Sequence, residues 1–378
     1  MKRILLSFFI AAAAVPATAE TAVDLAVIGR IDANPYFYFD GSKPEYYSGH
    51  SSLYTNLKCA FGDHVALKWT GNWLATAGEK IPFAVSGKLY ENIWSTNFNF
   101  TNMLYLDFYT GNWTFRLGKD YVALGGYEYE NDDWNCTFET MSIFWNSYDC
   151  YQWGGSVMWM TPSEKSSFML QALSASSLYW EKWRPWHNGY GTYLFRYSGE
   201  YGIVETNNSY GWMQTAGGPS QQVAGIEMIN LGLLFNIGRN ISLSLEWMNR
   251  RDTAVKLTKA ADFFTQSSKS RLFFSWAICD KVDLRIDGGY EHIGIPAEFR
   301  GWLYNRGYIA EAVPTDYFFG GGTVSYYPLK DSRDLRIHFV VTGSSLIGNG
   351  ISTTLGITWN HVFKLVKNKS YGNNQDDL

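Results

Sequence analysis

The chain has 378 residues and a formal net charge of −4, so no basic surface points to nucleic acid. Mean hydropathy is −0.20 although 17% of the residues are aromatic. No segment after residue 20 reaches the ~18 uninterrupted apolar residues of a membrane helix, so a helical membrane protein is excluded.

The N-terminus reads as an export signal. Lys2 and Arg3 start it, Ile4 to Val15 are apolar, and Ala17-Thr18-Ala19 is a small-x-small cleavage site. A signal peptide over 1–19 is therefore expected, with Glu20 as the first mature residue. No Cys stands at that point, so no lipoprotein anchor is expected. The four Cys have no metal-ligand spacing. Cys136 and Cys150 share one long segment and could pair in an oxidising compartment, but the sequence assigns no bridge. No cofactor is expected.

From residue 23 onward, alternating apolar/polar segments recur, and their connectors alternate short and long. The predicted strands are 23–33, 51–61, 64–74, 101–110, 112–119, 151–160, 167–175, 190–199, one beginning near Tyr201, 222–236, 241–250, 269–279, 282–292, 317–327, 335–344 and 351–364. The one near Tyr201 is the least marked, because Thr206 to Gly218 is polar and Gly-rich. Tight connectors such as Thr110-Gly111-Asn112 and Gly238-Arg239-Asn240 have turn chemistry. Long ones cover 75–99 and 120–150. Tight turns at one end and long loops at the other are the pattern of a transmembrane antiparallel β-barrel. An all-β barrel of about sixteen strands over 20–366 is predicted, with short periplasmic turns, long external loops, and a polar periplasmic tail at 367–378. Outer-membrane lipid would contact its outer wall. A barrel of that size encloses water, so passage of small hydrophilic solutes or ions is the expected function.

Parity assigns the interior. In 282–292, Val282, Leu284, Ile286 and Tyr290 oppose Asp283, Arg285, Asp287 and Glu291. A charge on the lipid face near the midplane costs about 2–4 kcal/mol, so mid-strand charges should point inward. Candidate pore-lining residues are Arg30, Lys68, Arg116, Lys119, Arg196, Arg271, Asp283, Arg285, Asp287 and Arg336, with Lys58, Glu246 and His338 on the same parity. The set leans basic. It reads either as an anion track or as a wall of charges that pair with one another.

The longest connector begins with Gly118-Lys119-Asp120 and continues Gly125-Gly126-Tyr127-Glu128. Together with Trp113-Thr114-Phe115-Arg116-Leu117-Gly118-Lys119 and Tyr151-Gln152-Trp153-Gly154, it resembles the phosphate-selective porin-like family of Gram-negative outer membranes. The resemblance implies a sixteen-stranded diffusion channel, a homotrimer, and a third external loop folded into the lumen. This loop, however, carries Asp120, Glu128, Glu130, Asp132, Asp133, Glu139 and Asp149. A carboxylate-rich constriction repels anions, so the architecture is expected without the phosphate selectivity.

No nucleophile-elbow, zincin or phosphate-loop motif occurs. His292 and His338 lie on strands near Ser or Thr positions; a hydrolase site on the outer wall would need a Ser, a His and a third polar group together. The expectation is no enzyme. The segment 178–190, with Trp180, Trp183 and Trp186 beside Arg184 and His187, reads as a membrane-edge belt, as a loop packed at a trimer contact, or as a carbohydrate platform.

Overall fold

The computed structural model describes residues 21–39, 41, 43–47, 51–75, 101–128, 151–174, 191–215, 224–252, 267–293, 316–344 and 350–366. The expected signal peptide over 1–19, the expected tail from 367, Cys136 and Cys150, the 178–190 segment, and Glu130, Asp132, Asp133, Glu139 and Asp149 lie outside the described residues.

Alternation produces strands wherever it was legible. They are β1 (Thr21–Tyr38), β2 (Glu45–Tyr47), β3 (Ser52–Phe61), β4 (Val65–Ala75), β5 (Thr101–Thr110), β6 (Trp113–Tyr121), β7 (Tyr151–Met160), β8 (Ser166–Ser174), β9 (Gly191–Tyr201), β10 (Val204–Thr215), β11 (Ala224–Ile237), β12 (Ile241–Asp252), β13 (Ser267–Cys279), β14 (Val282–Ile293), β15 (Asp316–Tyr326), β16 (Leu335–Ser344) and β17 (Gly350–Val366). From β3 onward each strand pairs antiparallel with its sequence neighbour. β1 closes the sheet, pairing with β17 on one side (Gly29 with Trp359) and β3 on the other (Val23 with Cys59). Closure leaves no open edge, which a membrane interior demands of any sheet.

The three-residue β2 was not foreseen. It pairs with Asn34, Pro35 and Tyr36 of β1, beyond the stretch that β3 covers. β2 and β3 thus share one interrupted stave, and the barrel has sixteen staves. The poorly marked segment after Tyr201 forms β10, paired along its length with both β9 and β11. Its backbone bonds come from both neighbours and do not depend on apolar side chains. Asn207 and Ser209 face in, while Tyr210 and Trp212 are exposed on the outer wall.

The outer wall is apolar and exposed: Leu117, Leu170, Leu233, Ile286 and Leu355 all lie on it. The inner face buries Gln171, Asn230, Glu246, Thr323 and Thr358. Near the short turns an aromatic row crosses β6 to β9, with ring centroids 6.3 Å apart for Trp113–Trp159, 5.8 Å for Trp159–Phe168 and 5.0 Å for Phe168–Tyr197. Rings in that position suit a membrane–water boundary. Leu170, between Val157 and Phe195 on the neighbouring strands, tests the solvent of this wall. In bilayer-reconstituted protein, Leu170→Arg is expected to cost about 2–4 kcal/mol in a urea titration. A change within about 0.5 kcal/mol would mean the wall faces water instead.

Candidate functional site in the barrel interior

Asp120 is not a loop residue. It belongs to β6, and the chain leaves the wall only at Val122. From there residues 122–128 form a strap lying against the inner face of β8 to β13; β8 and β10 to β13 meet it with polar side chains, and β9 with Leu194. Gln171 accepts from Ala123 N at 2.9 Å and donates to Tyr121 O at 2.9 Å. Ser209 Oγ accepts from Gly125 N at 2.8 Å. Asn207 donates from Nδ2 to Gly126 O at 2.9 Å, and its main-chain carbonyl accepts from Gly126 N at 2.8 Å. Asn230 Nδ2 donates to Gly125 O. Glu246 Oε2 accepts from Tyr127 N at 2.6 Å and Glu128 N at 2.9 Å.

Two conditions let the strap come so close. Gly126 has φ +84°, a backbone shape that side chains disfavour. Gly232 lies beneath it, where an added Cβ would sit 2.7 Å from Gly126 Cα. Val122, Ala123 and Leu124 are buried against Met158, Met169, Met213, Met228 and Met248 of the wall. Flexible thioethers fill such an irregular gap without a fixed shape.

The strap ends in a buried ion cluster. Lys269, wholly buried, donates from Nζ to Glu128 and, at 2.5 Å, to Glu246 Oε1. Arg271 pairs with Asp287, Nε to Oδ1 at 2.8 Å, and its Nη1 lies 3.5 Å from Glu128 Oε1. Three carboxylates therefore face two cations. The two strap N–H groups on Glu246 offset part of the excess negative charge.

A second group lies on β5 and β6. Arg116 forks onto Asp107 at 2.7 and 2.9 Å, reaches Asp120 at 2.9 Å, and stacks on the Tyr105 ring at 3.8 Å. Lys58 and Lys68 stand opposite each other in register, and Lys68 lies opposite Tyr105. Arg196 Nη1 donates to Tyr121 Oη at 3.4 Å. At the seam, Arg30 bonds Asp32 at 2.6 Å, and His338 Nε2 lies 3.2 Å from Asp32 Oδ1. On β14, Asp283 accepts from Tyr327 Oη at 3.1 Å and from Arg333.

Register thus puts Arg30, Lys68, Arg116, Arg196, Arg271, Asp283, Arg285, Asp287 and Arg336 on the inner face, with Glu128 reaching it from the strap. Lys119 is a correction. It stands opposite Leu104 and Trp153, three residues from Arg116 and hence on the other face. Its ammonium donates to Thr101 O at 2.7 Å, so the stem lies along the outer wall while the charge reaches the rim. Gln171, Asn207, Ser209, Asn230 and Lys269 escaped the sequence reading. One signal could have found them: a polar residue at inward parity on strand after strand, at a similar height. Among the described residues no group of three or more His, Cys, Asp or Glu could hold a metal.

No protein-family model matches the chain, and no curated protein matches it. Solved structures do. OmpT of Vibrio cholerae, an outer-membrane protein in its trimer form, superposes with a TM-score of 0.57 over 90% of this chain and 100% of that one, at 11% identity. An anion-selective porin from Comamonas acidovorans gives 0.55 over 91% and 100%, at 11% identity. The fold is the porin barrel. The outer-membrane channel DcaP of Acinetobacter baumannii has the same porin architecture, with a TM-score of 0.54 over 91% of this chain and 99% of that one, at 11% identity.

Proposed function

We propose that the chain is an outer-membrane porin, a passive channel for small hydrophilic solutes or ions whose bore is narrowed by the third external loop. The observation that carries this reading is the strap, tied to stave after stave inside a closed sixteen-stave barrel. A segment fixed there sets the width of the water path and the charges that border it. An export signal at 1–19 and a homotrimer complete the proposal; the trimer form of the Vibrio OmpT structure supports it.

Selectivity is the finer part. The resemblance to phosphate-selective porins would need free basic groups at the narrowing. Arg116 and Arg271 instead face carboxylates, Asp107, Asp120, Asp287 and Glu128. Charges that pair with one another leave little net field for an anion to follow. Weak or cation-leaning selectivity is the expected result. Planar-bilayer recordings with reversal potentials across a KCl gradient test it. Absence of conductance would end the channel reading. A strong phosphate preference would end only the selectivity reading.

A further inference from the structure

One cross-strand row on the outer wall is polar where the wall beneath it is apolar. Register places Asn249 of β12 opposite Ser268 of β13, Ser268 opposite His292 of β14, and His292 opposite Asp316 of β15. Opposed residues on one face of a sheet have Cβ atoms about 4.5–5.5 Å apart. The face is the outer one: Phe318, two residues from Asp316, is 65% exposed, while Lys269 and Glu291, the neighbours of Ser268 and His292, are buried inside. The row lies at the long-loop end, since β13 begins at Ser267, β14 ends at Ile293 and β15 begins at Asp316.

His292 Nδ1 is 2.8 Å from Asp316 Oδ1, and Tyr290 Oη donates to the same oxygen. An ionised carboxylate only accepts, so Nδ1 carries the imidazole proton and Nε2 keeps its lone pair. A histidine base oriented by a carboxylate, with a serine beside it, is the constellation of a serine hydrolase. Toward the middle of the wall follows an apolar groove of about 560 Å³, lined by Leu233, Leu245, Trp247, Leu272, Gly288 and Tyr290. Gly288 leaves its floor bare. Crowding does not demand a glycine there, because an added Cβ would meet only Phe319 O, at 3.6 Å. A strand glycine with room to spare suits a surface that a ligand approaches closely.

We propose that this row is a second site, a serine esterase that cleaves acyl esters of membrane lipid. The acyl chain lies in the groove and the ester reaches Ser268 at the rim. Ser268 Oγ bonds to the ester carbonyl carbon as its proton passes to His292 Nε2. The carbon–oxygen bond to the lipid alcohol breaks, and the alcohol leaves with the proton from His292. Water, giving a proton to His292, then hydrolyses the acyl-serine; the carboxylic acid departs and Ser268 regains its proton. Asp316 is a positioning residue.

The test uses the full chain, purified in detergent, with a fluorophosphonate probe and with mixed micelles of a dipalmitoyl phospholipid. The expected result is a label on Ser268 by peptide mapping, together with fatty-acid release. S268A and H292N each reduce release by about a thousandfold or more. D316N lowers kcat with KM unchanged, as loss of the imidazole's orientation requires. G288L fills the groove and stops long-chain cleavage while an acetyl ester is still hydrolysed. Heat-modifiable gel mobility identifies the folded barrel in every variant. A folded barrel that takes no label at Ser268, or fatty-acid release that survives S268A, overturns the proposal.

Discussion

Lys269→Met is expected to release the strap, with a stability loss of about 3–5 kcal/mol and a rise in single-channel conductance. The ammonium is fully buried between Glu128 on the strap and Glu246 on the wall. Its removal leaves two buried carboxylates facing each other without the cation between them. Desolvating an uncompensated charge is what makes the half-removal of a buried pair so costly. The strap has the cheaper escape, because moving into the bore rehydrates Glu128. Removing all three charges, as K269M/E128Q/E246Q, should restore most of the stability, since no buried charge then stands without a partner: Arg271 keeps Asp287. Thermal melts and planar-bilayer conductance measure the two effects. Conductance unchanged in the single variant would show that the cluster does not hold the strap.

Gly356→Ala should weaken the seam where the sheet closes, by about 3 kcal/mol or more. Asp32 on β1, Gly356 on β17 and His338 on β16 occupy one row. The Asp32–His338 contact passes over the backbone of β17, and Arg30 holds the other carboxylate oxygen. A Cβ on Gly356 would overlap both Asp32 Oδ1 and His338 Nε2. One methyl group would then separate a buried pair that links the first stave to the fifteenth and would strip Asp32 of one partner. Gly343→Ala is the control, because an added Cβ there meets nothing within 4 Å. It should change the urea midpoint by no more than about 0.5 kcal/mol equivalent. Equal effects at the two positions would remove the role given to the Asp32–His338 contact.

The strands were legible because a barrel wall has two solvents, and each strand records both with a period of two. β14 shows this most fully: Val282, Leu284, Ile286 and Tyr290 face out, and Asp283, Arg285, Asp287 and Glu291 face in. Parity failed where the wall meets other conditions. Lys119 sits at the rim, where an outward stem can carry its charge to water. Met158, Met213 and Met248 look like lipid-facing residues in sequence, yet they lie under Val122 and Leu124 inside the barrel. Asn207 and Asn230 could be found in sequence as inward polar residues, but not their task, because an amide that meets a strap carbonyl reads like any polar liner. What the strap touches is a matter of register across strands far apart in the chain, and one-dimensional patterning holds no record of it.

The strap's partners also fix when it can dock. Its bonds to Ser209 and Lys269 span 84 and 141 residues of chain. The bond to Lys269 cannot form until β13 has joined the sheet that runs on from β6, so the segment is fully fastened only after half the cylinder is complete. Until then Val122, Leu124 and the methionine bed beneath them stay open to water, and an unfinished barrel offers a greasy interior where the finished one has a covered one. Docking of the strap therefore marks the point at which that apolar bed is covered.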